Sequence, residues 1–213
     1  MVETVIVANG EFPKKGGAAW RLIAAAARVV CCDGAADAYR RRFRRWPDVI
    51  VGDFDSIRSE NFRSQISDLK SQELPEVACV PEQDTNDLEK AMMYCAKQGW
   101  RNPVIVGATG KREDHAIGNV FRALDYGCEI VTDRGRFVPV RGKASFRVAK
   151  GAAVSIFAPD PKTRMTSCGL EWSLDEVKFK NLYCATLNRT TGTRVTLTTT
   201  KPVSVFIEER KVK

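Results

Sequence analysis

Hydrophobic and polar positions follow two different rhythms along this chain. Up to about residue 133, short β-branched runs alternate with stretches of helical period. Thr4–Ala8 is an apolar run closed by the turn signal Asn9-Gly10. Ala18–Ala27 reads as an alanine-rich helix, and Arg28–Cys32 as a second strand closed by an Asp33-Gly34 turn. Ala35–Arg45 is a predicted helix stopped before Pro47. Asp48–Val51, Glu76–Val80, Pro103–Val106 and Cys128–Thr132 read as further strands, and Ser59–Lys70 and Glu113–Leu124 as helices. The clearest helix runs from Asp84 to Gln98: Leu88, Ala91, Met92, Cys95 and Ala96 fall at i, i+3, i+4, i+7 and i+8, with Gly99 as the stop. Strands alternating with helices predict an α/β layer with a mainly parallel sheet.

After Asp133 the period shortens to two. Phe137–Val140, Ser145–Ala149, Ala153–Ala158, Arg194–Thr200 and Val203–Glu208 are β-branched runs separated by Gly, Pro and Lys. They predict an all-β, antiparallel sandwich- or barrel-like part. The expected organisation is an α/β domain over 1–133 followed by a β-domain over 134–213.

Composition narrows the class. The 213 residues are 44% hydrophobic and 28% charged, which suits one large or two small globular domains. The longest apolar runs, such as Leu22–Ala27, fall far below the ~20 residues of a membrane span. Met1–Thr4 has no basic segment, so no signal peptide is expected. Seven cysteines without a CxxC pair, and a single histidine, His115, argue against a structural zinc site. Reduced thiols in a cytoplasmic protein are the simplest expectation. The net charge of +8 invites a nucleic-acid reading, but it is unevenly spread. Residues 1–133 carry 18 basic and 20 acidic side chains, a net −2, while residues 134–213 carry 16 and 6, a net +10.

The candidate chemistry lies in the acidic part. Ligands of open α/β sheets sit beyond the carboxyl ends of the strands. Asp33, the Asp53-Phe54-Asp55 pair, Asp84 with Asp87, and Asp114 each follow a predicted strand. Gathered carboxylates repel one another unless a cation holds them, and Mg²⁺ binds one or two carboxylates while bridging to phosphates. Lys111, Arg112 and the glycine turn Gly107–Gly110 could hold phosphate oxygens. Taken singly the residues have plainer roles: Asp84 or Thr85 as an N-cap, Asp33-Gly34 as a turn, Arg40–Arg45 as a solvated helix face. Neither G-x-x-x-x-G-K-[ST] nor G-x-G-x-x-G occurs, which disfavours a P-loop ATPase or a dinucleotide oxidoreductase.

At these residues the sequence resembles the thiamine pyrophosphokinase family. The matching pieces are Val51–Ile57 (VGDFDSI), Gln83–Asp87 (QDTND) running into Glu89-Lys90-Ala91, and Gly107–His115 (GATGKREDH) with Asn119. In the second part, Thr166–Leu174 (TSCGLEWSL) resembles a Gly-Leu-x-Trp/Tyr-x-Leu segment. The resemblance implies an N-terminal domain handling ATP and Mg²⁺, a C-terminal β-domain, and a homodimer with thiamine sites at its interface. It implies Asp53, Asp55 and Asp84 as Mg²⁺ ligands, with Asp87 and Asp114 completing an acidic catalytic pocket. Arg112, Thr109, His115 and the Gly107–Gly110 turn would approach the phosphates, and Asn9-Gly10 and Asp33-Gly34 would form nucleotide-side loops. Trp172 and Asn188 are implied at thiamine. Two positions depart from the pattern. Ala35 replaces a glycine, so its methyl would have to fit beside the ligand, and Leu187 replaces a serine, leaving Asn188 or Thr186 to serve. The implied reaction is pyrophosphoryl transfer from ATP to the thiamine hydroxyl, with Asp55 or Asp84 as the proton acceptor.

Two rival readings remain at this level. One is a metal-dependent phosphohydrolase with Asp53 as nucleophile. The other is a non-catalytic nucleic-acid module using the basic β-part and the Arg40–Arg45 helix, although that part lacks the aromatics of an RNA-reading sheet.

Overall fold

The structure is a computed structural model that describes residues 2–53, 74–80 and 84–209. The predicted helix Ser59–Lys70 and Asp55 lie outside the described residues. The chain forms two compact units, Met1–Asn119 and Val120–Lys213.

The first unit is a parallel sheet. Its strands are β1 (Thr4–Val7), β2 (Arg28–Cys32), β3 (Val49–Gly52), β4 (Glu76–Cys79) and β5 (Val104–Val106). Their order is β5-β1-β2-β3-β4, with Ile6 opposite Val30 and Ile105, and Ile50 opposite Cys31 and Val77. The central strands β1 and β3 are buried along their length, as unbroken apolar runs of a covered parallel sheet must be. The outer strand β4 is largely exposed. Helix α1 (Ala18–Ala25) buries Ala19 and Ile23, and α2 (Asp33–Phe43) buries Ala35, Ala36 and Tyr39.

Two helix starts differ from expectation, and both bear on the site. Asp33 and Gly34 do not form a turn but are the first residues of α2, which follows β2 directly. Helix α3 (Asp87–Lys97) starts three residues later than Asp84, because Asn86 is its cap: the Asn86 Oδ1 accepts the Glu89 N–H at 2.9 Å. The arginine run at the end of α2 is also more than a solvated face. Trp20, Phe43 and Tyr39 stack in series with Phe12 edge-on to Trp20, and Arg42 lies over Phe12 while Arg40 lies over Trp46.

The second unit begins within α4 (Glu113–Tyr126). By contacts between residues the division falls after Asn119, and β6 (Glu129–Val131) pairs with β7 (Gly135–Arg147). Beyond β7 come β8 (Ala153–Phe157), β9 (Met165–Cys168), β10 (Ala185–Arg189) and β11 (Arg194–Glu208). The order is β10-β8-β11-β7-β6, antiparallel, with β9 also on β11. The four runs expected on either side of Gly142 and Lys201-Pro202 are two long strands, because β11 absorbs Lys201-Pro202 as a register shift between Thr199 and Val203. Strands β9 and β10 were not expected; Met165–Cys168 and Ala185–Arg189 are short and half polar. Val154, Ile156, Phe179, Leu197, Val203 and Val205 form the centre of this unit's core. Leu197→Ala, at a fully buried position, is expected to cost ~2–5 kcal/mol in chemical denaturation. A loss below about 1 kcal/mol would show that this core is not close-packed.

Candidate active site

The parallel strands of the first unit end on one side, which places the loops after β1 and β5, the start of α2 after β2, and Asp53 after β3 at the same end of the sheet. The loops after β1 and β5 are laced together. Ala8 N–H donates to the Val106 carbonyl at 2.9 Å, Gly10 N–H to the Gly107 carbonyl at 2.6 Å and Glu11 N–H to the Thr109 carbonyl at 2.7 Å. A side chain at Gly10 would drive into those carbonyls, and one at Gly34 into the Asn9 amide. Glycine is therefore required at both positions by close approach. Lys111 Nζ donates to Asn9 Oδ1 at 3.0 Å and closes the loop pair from outside.

These loops, α3 and α4 enclose a cavity of about 310 Å³, lined among others by Asn9, Asp87, Thr109, Lys111, Arg112 and His115. One polar chain fixes its floor: Asn86 Nδ2 donates to Asn119 Oδ1 at 3.1 Å, and Asn119 Nδ2 donates to the Ala108 carbonyl at 2.9 Å. Asn86 therefore caps α3 and ties it to the loop after β5, two roles the sequence reading had not assigned.

Beside the cavity lies a carboxylate cluster sharing Asp87. Asp33 is 2% exposed, its Oδ1 accepts the N–H of Gly34, and its Oδ2 is buried without a hydrogen-bond partner among the described residues. Burial, then the neighbouring Asp87 carboxylate, pushes the Asp33 pKa up to about 6; the Gly34 N–H opposes that shift and Asp53 adds to it. Lys90 is buried among these acids, its Nζ 3.5 Å from Asp53 Oδ2 and 3.9 Å from Asp87 Oδ1. Lys90 stands in the Glu89-Lys90-Ala91 stretch of the family motif, where the sequence alone assigns it no role. On a helical wheel it lies about 200° from Leu88, on the face that should meet solvent. Only the carboxylates above it explain its burial.

Other expected site residues fall elsewhere. Asp84 is exposed ahead of α3 and does not line the cavity. Asp114 is exposed and held by Arg112 in a two-point pair, Nη2 to Oδ2 at 2.6 Å and Nε to Oδ1 at 3.1 Å. That hydrogen bonding pulls the Asp114 pKa down to about 2. Asp114 thus faces its own cation at the start of α4 and not the cluster around Asp33. Ala35 is buried within α2.

Trp172 and Asn188 belong to the second unit and are close together. The buried Asn188 donates to the Trp172 carbonyl at 2.8 Å and accepts the N–H groups of Trp172 at 3.2 Å and Arg189 at 2.8 Å. Its amide is a clamp on the Gly169–Ser173 segment. Trp172, Tyr183 and Leu187 are left as exposed apolar side chains, 56%, 66% and 81% accessible.

Among the described residues, no three His, Cys, Asp or Glu side chains are grouped as a metal cage. Mg²⁺ needs none, since it takes one or two carboxylates and completes its shell with waters and phosphate oxygens. The buried Asp33 Oδ2, which no donor among the described residues reaches and on which the Asp87 and Asp53 charges act, has the chemistry of such a ligand, so the residues present fit the ion.

A parallel sheet with carboxylates at its strand ends, beside a glycine cradle faced by cations, defines the class: an α/β phosphate-handling protein. The chain belongs to the thiamin pyrophosphokinase family, a family of diphosphotransferases. The model "Thiamin pyrophosphokinase, catalytic domain" matches residues 19–131, and "Thiamin pyrophosphokinase, substrate-binding domain" matches residues 135–206. Thiamine pyrophosphokinase 1 of Oryza sativa subsp. japonica is 28% identical over 209 residues, covering 82% of this chain and 75% of that one. Thiamin pyrophosphokinase 1 of Caenorhabditis elegans is 33% identical over 99 residues, but the match spans only 43% of this chain and 37% of the relative. The solved thiamin pyrophosphokinase from Candida albicans superposes with a TM-score of 0.75 at 17% identity, covering 98% of this chain and 90% of that one. That likeness bears on the fold.

The raised pKa of Asp33 has a signed consequence. An acid that holds its proton more tightly folded than unfolded loses stability as pH rises through its two pKa values. Without divalent cations, stability should therefore fall between the unfolded value of about 4 and the folded value of about 6. Asp33→Asn should flatten that fall in denaturation curves taken across this range. An unchanged slope in the variant would contradict the assignment.

Proposed function

We propose that this chain is a thiamine diphosphokinase, transferring the pyrophosphoryl group of ATP to the primary hydroxyl of thiamine and releasing AMP. The observation that carries the reading is the acidic cluster of Asp33, Asp53 and Asp87 beside a cavity lined by Lys111, Arg112 and His115, in a chain whose two parts match the two models of one family. The phosphohydrolase and nucleic-acid readings have no such support.

Little covalent work falls to the protein in a transfer of this kind, so positioning and charge neutralisation dominate. The Gly10 and Gly107–Gly110 loops and the cations Lys111 and Arg112 would take the polyphosphate. One or two carboxylates of the cluster Asp33, Asp53 and Asp87 would hold Mg²⁺, with Asp55 as a further ligand on the strength of the family motif alone. When bound, the ion offsets polyphosphate charge in the transition state. Engaging ATP would require Arg112 to exchange Asp114 for phosphate, and the exposure of that pair makes the exchange cheap. Thiamine is a permanent cation, which suits an acidic pocket; within the second unit by itself, exposed Trp172 offers a ring face to a cation. The exposed Trp172, Tyr183 and Leu187 also support the homodimer and interfacial thiamine sites implied by the family resemblance. A cytoplasmic location accords with the free cysteines.

Asp53→Asn is expected to lower AMP formation from ATP, thiamine and Mg²⁺ by at least about 100-fold, while circular dichroism remains that of wild type. EDTA should abolish wild-type turnover. Activity indifferent to EDTA, or undiminished in Asp53→Asn, would remove the basis of this reading.

A further inference from the structure

Buried lysines are rare, and one without a carboxylate partner would give up its charge. The Lys90 side chain is 1% exposed. It departs from helix α3 on the side opposite Leu88, where solvent would be expected, and ends between Asp53 after β3 and Asp87 in the first turn of its own helix. Both carboxylates remain partly accessible, at 15% and 32%. Asp33, the third acid, keeps a buried oxygen that no donor among the described residues reaches. The ammonium therefore serves two of the three carboxylates and leaves the third short of positive charge.

We propose that Lys90 is a positioning residue for the reaction: a built-in counter-ion that fixes Asp53 against the start of α3 and limits how strongly the cluster binds a divalent cation. The inference rests on reading this cluster as the cation-dependent centre. With the ammonium in place, Asp53 and Asp87 are held at fixed positions by one buried cation while both stay partly accessible. The cluster's net charge is one unit less negative than its acids alone would make it. A cation arriving with ATP is then held without being trapped. Replacing Lys90 by an apolar side chain of similar length raises the local negative charge and frees Asp53 to move. Cation affinity and turnover should consequently change in opposite directions. A purely structural lysine would not produce that pattern, since loss of packing weakens both.

The test uses Mn²⁺ as the probe, with binding to the free protein followed by water-proton relaxation, alongside kcat and KM. Lys90→Met should bind Mn²⁺ about tenfold more tightly than wild type. Its kcat should fall about 100-fold at saturating ATP and thiamine, with KM for ATP changed less than about threefold. If Lys90→Met does not fold, the comparison of Asp87→Asn with Asp87→Asn/Lys90→Met replaces it, because the pair loses a carboxylate together with the ammonium. The same tightening is expected there. Mn²⁺ affinity that is unchanged or weaker on losing Lys90, or no Mn²⁺ binding by any of these proteins, would overturn the proposal. Wild type lacking thiamine-dependent AMP formation would overturn the functional reading instead and leave the Mn²⁺ comparison standing.

Discussion

The structure of the first unit turns on one electrostatic constraint. A parallel sheet sends its strands the same way, so acidic residues placed after successive strands converge whether or not they repel. Asp33, Asp53 and Asp87 converge in this way, and two answers to their repulsion are present. One is the buried ammonium of Lys90, within 4 Å of two of them. The other is protonation, expressed in the upward shift at Asp33 to about 6. A divalent cation would replace the second answer and leave the first in place. Under the proposed function, a cluster balanced in this way would accept a cation together with a polyanionic substrate.

The cradle beside the cluster obeys a steric constraint of the same severity. Backbone groups after β1 and β5 approach so closely that Gly10 tolerates no side chain, and Asn9 covers Gly34 at the start of α2. Direct succession of α2 on β2 is what buries the Asp33 carboxyl, because no loop carries it outward. The Asn86–Asn119–Ala108 chain then holds α3 and α4 to the same floor. Cavity and cluster are consequently parts of one rigid construction, joined through Asp87 and the residue that caps its helix.

Much of this was legible in the sequence. Alternation of apolar runs and helical period located every described strand and helix of the first unit, and the strand-end rule pointed to Asp33, Asp53 and Asp87. What could not be read was partnership. Asn86 outcompeted Asp84 and Thr85 as the cap because its amide serves both the Glu89 N–H and Asn119, a contact 33 residues away. Asp114 met Arg112 two residues earlier, so a residue that looked like part of the acid cluster is neutralised locally. Lys90 was invisible because a helical wheel assumes one buried face, whereas α3 also packs a cation against carboxylates. In the second unit, period two located β7, β8 and β11 but broke two of them at Gly142 and Lys201-Pro202, where the chain bulges and continues. Asn188, expected at a ligand, spends its amide on the backbone of Trp172.

Under the proposed function, this cluster and cradle move a pyrophosphoryl group as a unit. Incubation with ATP labelled at the β-phosphorus, thiamine and Mg²⁺ tests it most directly. The account predicts that the label appears in thiamine diphosphate, with one unlabelled AMP released for each transfer. Label recovered in ADP or in inorganic phosphate, with thiamine unchanged, would contradict it.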